Sequence, residues 1–207
     1  SKSLLGLIQQ IEYTFGFYFK RMHSVLNCEY IIGGAFGVYR RSIFEDYGYF
    51  DEKNKTEDIE FSTRLSSYGL KCFFMEDAIA YTEGASSLDG LLKQRTRWKR
   101  GRIDTFLRYL NLFFSLEKRH SKVLSWFVLP LALVGDFELL LFPILFPLIM
   151  FYTFDFGSFN YWISWIIFFS FVVLLSYLFG SKRNALQSIL LIPVFYFLAF
   201  ILIFTEI

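Results

Sequence analysis

Charge all but stops in this chain at Lys122. Beyond it the only charged side chains are Asp136, Glu138, Asp155, Lys182, Arg183 and Glu206, while the rest of the 21 basic and 19 acidic residues crowd into positions 1–122. A solvated surface cannot be made from so few polar groups, so two regions are predicted: a charged domain over 1–122 and a membrane region over 123–207. Hydrophobic residues make up 55% of the chain, with 28 phenylalanines, above the range of an ordinary soluble domain. A membrane-spanning helix needs ~20 residues. Val123–Phe154 is therefore too short for two and reads as one span, kinked at Pro130, Pro143 and Pro147. Tyr161–Phe179 and Ala185–Phe204 read as two more. Lys118, Arg119 and Lys122, and after two crossings Lys182 and Arg183, put 1–122 on the cytosolic side of a multi-pass membrane protein.

Within 1–122 the apolar periodicity changes several times. Leu4, Leu5, Ile8, Ile11, Phe15, Tyr18 and Met22 predict a helix over 3–22. Glu29–Tyr39 reads as two short strands about a Gly33-Gly34 kink, and Arg40–Tyr47 as a short helix ended by Gly48. Thr56 suits an N-cap, with Glu57, Asp58 and Glu60 favourably placed in the first turn and Gly69 as the terminator. Cys72–Met75 and Ala78–Thr82 look like strands, and a long helix is expected from Ser87 to Phe114. This alternation indicates an α/β domain. No strands precede the first helix, so the chain is expected to hold only the second half of such a domain, with an N-terminal half elsewhere.

Composition excludes little else. The net charge of +2 points to no acidic partner, and no nucleic acid is expected. Cys28 and Cys72 make no disulfide framework and read as packing residues. His23 and His120 lack metal-ligand spacing, and His120 falls in the basic cluster before the first span.

Two clusters are rich in chemistry. Thr56-Glu57-Asp58 opens a helix. Gln94, Arg97 and Trp98 lie three and four apart on the long helix, hence on one face. An amide, a guanidinium that can grip a phosphate and an indole that can underlie a sugar suit an anionic, ring-bearing ligand. Each has a plain alternative: acidic residues often only cap helices, and a basic helix with a Trp often only meets lipid headgroups. Both clusters in this order, at this spacing, favour chemistry.

The run GGAFGVYRRSIFEDYGYFDEKNKTEDIEFSTRLSSYGLKCFF followed by QRTRWKRG resembles the processive β-glycan synthases of glycosyltransferase family two, which include cellulose, hyaluronan, chitin and poly-N-acetylglucosamine synthases. It carries their Thr-Glu-Asp and Gln-x-x-Arg-Trp motifs, and the likeness covers about residues 10–110 in detail. The resemblance implies the acceptor half of a GT-A-like domain followed by about three transmembrane helices. It implies an inverting transfer from a nucleotide-sugar donor to a growing polysaccharide. Asp58 would act as base, with Glu57 beside it in the catalytic motif. Thr56, Gly33, Gly34, Gln94, Arg97 and Trp98 would contact substrates: the glycine pair and Trp98 on the acceptor side, Gln94 and Arg97 on the diphosphate.

The sequence departs from the family in one major respect. The Asp-x-Asp metal motif is missing, and Asp136-Phe137-Glu138 sits in an apolar stretch. A divalent metal, Mg or Mn, is thus expected in a complete enzyme, with no site in this chain, and the chain alone is expected to be inactive. Expected partners are the donor, the glycan acceptor, membrane lipids and the missing donor-binding half. Two alternatives stand beside this reading: a non-processive transferase acting on a lipid or short glycan, and an inactive membrane subunit.

Overall fold

The structure is a computed structural model that describes residues 3–75 and 77–155, with Ile163, Ile167, Ser170 and Phe171 beyond them. Among the described residues, α-helices run in the order α1 Leu4–Val25, α2 Arg41–Tyr47, α3 Glu57–Ser67, α4 Leu88–Arg108 and α5 Leu129–Asp155. A 3-10 turn over Leu110–Leu112 and a π-turn over Leu124–Val128 lie between α4 and α5. The chain forms two compact units. One comprises Lys20–Glu83 with Asp89–Asp136, so it runs on past residue 122; the other comprises Ser1–Phe19, Gly84–Leu88 and Phe137–Ile207.

Helix ends follow local chemistry closely. Gly69 adopts φ +85° beyond α3, where its amide reaches the Ser66 carbonyl and that of Leu70 reaches Leu65. This pair of bonds is the Schellman closure that a left-handed glycine permits. Asn27 (φ 53°) closes α1 the same way, with bonds from Asn27 to Ser24 and from Cys28 to His23. Thr56 occupies the N-cap position of α3, but its side chain makes no capping bond. That hydroxyl is used elsewhere, as described below.

The strands expected over Glu29–Tyr39, Cys72–Met75 and Ala78–Thr82 are not formed; no strand occurs among the described residues. The reason is visible in the donors. The Tyr30 and Ile31 amides go to the Glu29 carboxylate, that of Ile32 to Ser62 Oγ, and that of Phe74 to Ser24 Oγ. A ladder needs a neighbouring backbone, and here side chains of α1, α3 and the segment itself satisfy these groups instead.

The first unit's core gathers Cys28, Tyr30, Phe106, Leu112, Leu124 and Leu129. Phe61, fully buried on α3, centres an aromatic cluster with Tyr39, Phe44 and Phe50 at centroid distances of 4.8–5.3 Å. Burial pushes the Cys72 thiol up to about 11 and raises that of Cys28, consistent with inert packing residues. His120, in the basic cluster before the first expected span, is buried. Its Nε2 donates to the Ser67 carbonyl at 2.8 Å, which leaves Nδ1 to accept from Ser115 Oγ at 2.7 Å.

Asp136 is also buried, and Arg102 binds both its oxygens, with Nε to Oδ2 at 3.0 Å. That pairing explains a carboxylate in an apolar segment. The π-turn falls just before Pro130, whose ring would clash with the carbonyl four residues earlier in a regular α-helix. In the other unit, Gln9 clamps the turn at Ala85 through its carbonyl oxygen and its amide nitrogen, both at 2.9 Å. A side chain at Gly84 would strike Gln9 Oε1 at 2.8 Å.

Among the described residues, no helix is long and apolar enough to cross a membrane. Helix α5 runs through Pro143 and Pro147, but its uncharged stretch extends only from Leu139 to Phe154. At 1.5 Å per residue that rises about 24 Å, against the ~30 Å of a bilayer's hydrocarbon core. The expected spans Tyr161–Phe179 and Ala185–Phe204 lie outside the described residues, apart from the residues named above.

The start of this core carries a pH dependence. Desolvation lowers the pKa of His23 below 6.5, against the opposing field of Glu29, whose Oε2 lies 3.8 Å from Nδ1. The folded state therefore takes up this proton less readily than the unfolded chain, and stability is lost as pH falls below about 6.5. His23→Gln is expected to flatten that part of the slope, read as melting temperature between about pH 7.5 and 5.5. An unchanged slope would remove His23 as its source.

Candidate active site

The site is built where the loop before α3 meets α4. The segment 28–39 turns at Gly34 and Ala35, and α3 lies beside it, bonded through Ser62 and Asp58. The Gly34 amide donates to Asp58 Oδ2 at 2.7 Å, and the Ile59 amide to Oδ1 at 2.9 Å. The carboxylate is thus held from both sides by backbone donors, with lone pairs left over on each oxygen. A Cβ at Gly34 would sit 3.2 Å from Oδ2, which accounts for glycine there. Gly33 has no such neighbour: a Cβ would meet nothing within 4 Å.

Three features dock α4 against residues 54–56. Arg97 Nη1 donates to the Lys55 carbonyl at 2.9 Å. Asn54 Nδ2 donates to Thr105 Oγ1 at 3.2 Å, and Asn54 Oδ1 accepts from the amide and hydroxyl of Thr56 at 2.8 and 3.2 Å. Gly101 leaves no space beside Thr56, since a Cβ there would lie 2.1 Å from its Oγ1. Thr56 is consequently 1% exposed. Its hydroxyl donates to Asn54 Oδ1 within this packing.

The other expected residues are spread around this contact. Arg97 is engaged by Lys55 but keeps further N–H donors. Gln94 is half-buried, and its Oε1 has no hydrogen-bond partner among the described residues. Trp98 is half-buried, and the Arg95 guanidinium lies 4.5 Å from its ring centroid. One face of the indole is thereby covered by a cation. Glu57 is exposed.

Behind Asp58 stands a polar cluster that sequence reasoning passed over. Glu60 is 1% exposed and receives Arg64 Nε and Nη2 at 3.1 and 2.6 Å and the Tyr109 hydroxyl at 2.5 Å. Arg64 also donates to the Tyr47 and Tyr49 carbonyls and lies 5.0 Å from the Phe61 ring centroid. Arg108 bridges Asp51 and Glu60, and its hydrogen bond holds the Asp51 carboxyl below the usual range. The i,i+4 spacing of Glu60 and Arg64 was the available signal. Asn54, Gly101 and Thr105 had a fainter one: a glycine inside a helix that costs ~1 kcal/mol of propensity needs a packing reason.

Among the described residues no group of three or more His, Cys, Asp and Glu side chains is placed to bind a metal ion. No step below is routed through one.

The Asp58 carboxylate, held by backbone donors, is thus joined through residues 54–56 to the basic helix bearing Gln94, Arg97 and Trp98. The family model for glycosyl transferase family group 2 matches residues 10–205, and the chain belongs to that family. Membership implies a GT-A-like catalytic fold, in a family that generally uses a divalent metal. Among curated proteins, the poly-beta-1,6-N-acetyl-D-glucosamine synthase of Staphylococcus epidermidis is 34% identical over 129 residues, covering 61% of this chain and 30% of that protein. The enzyme of the same name from Staphylococcus aureus strain COL is 36% identical over 118 residues, covering 56% and 28%. The chain thus spans less than a third of these relatives' length. No solved structure matches.

Proposed function

We propose that this chain is the acceptor-side part of a membrane-embedded, inverting glycan synthase. It adds sugars from a nucleotide-sugar donor to a growing polysaccharide, with N-acetylglucosamine the first sugar to test, given the relatives. The observation that carries the reading is the Asp58 carboxylate held by Gly34 and Ile59, with the loop before it bonded to Arg97. In the transfer, an acceptor hydroxyl oxygen attacks the donor's anomeric carbon from the face opposite the leaving group. The bond from that carbon to the diphosphate breaks, the hydroxyl proton passes to a free lone pair on Asp58, and the nucleoside diphosphate departs. Gln94 and the remaining Arg97 donors hold the diphosphate, where fixed positive charge stabilises the leaving group. Trp98 offers its uncovered face to the acceptor sugar. Thr56 and Gly34 act through Asp58, and Glu57 lies beside it in the motif.

Residues 1–122 are the cytosolic part and 123–207 the multi-pass membrane part, with the donor-binding half and its metal supplied by sequence outside this chain. The basic residues Lys118, Arg119 and Lys122, and the near absence of charge beyond them, support that placement.

Full-length protein in membrane vesicles, given uridine diphosphate N-acetylglucosamine, tests this. High-molecular-weight polymer is expected, and Trp98→Ala is expected to lower polymer formation about tenfold while donor hydrolysis falls much less. Failure of the full-length protein to form polymer from any nucleotide sugar, or equal loss of both activities in Trp98→Ala, would overturn the synthase or the acceptor role respectively.

A further inference from the structure

We propose that Asn54 and Thr105 form a latch through which α4 sets the position of the Asp58 carboxylate, making both of them positioning residues for transfer; this rests on the reading of Asp58 as the base. The latch has a defined polarity. Thr105 spends its hydroxyl proton on the Gly101 carbonyl at 2.8 Å, so its oxygen accepts from Asn54 Nδ2 at 3.2 Å. That bond fixes the Asn54 amide, whose oxygen then takes both the amide and the hydroxyl of Thr56. All three polar side chains of this network are buried: Asn54 is 8% exposed, Thr56 1% and Thr105 0%.

Placement gives this network its consequence. Arg97, Gly101 and Thr105 follow one another at four-residue steps, one stripe of α4. All three touch residues 54–56: Arg97 at the Lys55 carbonyl, Gly101 by lacking a Cβ against Thr56, Thr105 through Asn54. Two residues after Thr56 comes Asp58, and the Glu60 amide bonds the Thr56 carbonyl to start α3. The loop is therefore a short, fully bonded strut between the helix of Gln94 and Trp98 and the carboxylate. Apolar packing would glue these elements together equally well, but without one register. A directional chain of buried bonds specifies one arrangement. A base displaced by a fraction of an ångström loses rate steeply.

A purely structural role predicts something different, and the two are separable. Thr105→Val keeps the shape and removes the acceptor; Thr105→Ser keeps it. The full-length enzyme in membrane vesicles is assayed for polymer formation, donor KM and melting temperature. Thr105→Val and Asn54→Ala are each expected to lower kcat about tenfold with donor KM within about twofold. The double variant should be no slower than either single one, because one chain of bonds is broken only once. Thr105→Ser should stay within about twofold of the parent. Near-normal kcat in both single variants overturns the latch. So does a serine variant as slow as the valine one, or additive losses in the double variant. If Thr105→Val does not reach the membrane, Asn54→Ser, too short to touch both partners, carries the same test. Asp58→Asn is run alongside. Retained turnover there removes the reading on which the latch rests, whereas an inactive Asp58→Asn with normal latch variants removes the latch alone.

Discussion

Asp58→Asn is expected to lower turnover of the full-length enzyme at least ~100-fold, the usual cost of losing a general base. The amide has no basic oxygen to take the acceptor proton. It is also nearly the same size, so the packing around it is kept. One local change is forced. Both carboxylate oxygens accept backbone N–H groups, from Gly34 and Ile59, and an amide must turn its NH2 toward one of them. The glycine segment is exposed and is the side that yields. Donor binding, proposed above to fall to Gln94 and Arg97, should therefore change little. Near-normal turnover, or a loss confined to donor affinity, would remove Asp58 from the chemistry.

Gly101→Ala is expected to be the most damaging small substitution in the chain. Helix propensity alone predicts the opposite, a gain of ~1 kcal/mol from replacing a glycine inside α4. Packing opposes it. The new methyl would lie 2.1 Å from Thr56 Oγ1, 2.7 Å from its Cγ2 and 2.8 Å from its Cβ. Rotating the threonine cannot clear three atoms at once, and the residue is buried and bonded to Asn54. The loop and helix must separate, at an overpacking cost of ~1–3 kcal/mol or more. That separation also lengthens the Arg97 and Thr105 contacts. A lower melting temperature with transfer reduced more than tenfold is expected. A variant more stable than the parent would mean that helix propensity outweighs the contact.

Much of the helical framework was legible because its signals are local. Gly48 and Gly69 stop α2 and α3 where expected, both with positive φ, since a left-handed turn favours glycine regardless of what lies beyond it. The long helix, expected from Ser87 to Phe114, spans Leu88–Arg108 and gives way to a tighter turn. The strands were misjudged for the converse reason. Alternating β-branched and aromatic residues mark a segment able to join a sheet, but a ladder exists only when another backbone is there to share it. Here Glu29, Ser62 and Ser24 take those donors instead.

The sequence by itself determined the family, the presence of the helices, the glycine stops of α2 and α3, and the order of the two motifs, because each depends on residues a few positions apart. It also marked Asp58 and Gly34 as members of one site. Only the tertiary structure decided what these residues touch. Thr56 looked like a cap and instead fills the space left by Gly101; Trp98 looked like an open platform and carries Arg95 on one face. His120 read as an ordinary residue and Asp136 as a charge in an apolar stretch, and each is buried with its partner. A hydrogen bond is short and directional, so it forms only between groups the fold has already brought within about 3 Å. Asn54 and Thr105 are 51 positions apart. Nothing in their local sequence chooses that partner; the packing of α4 against the loop does.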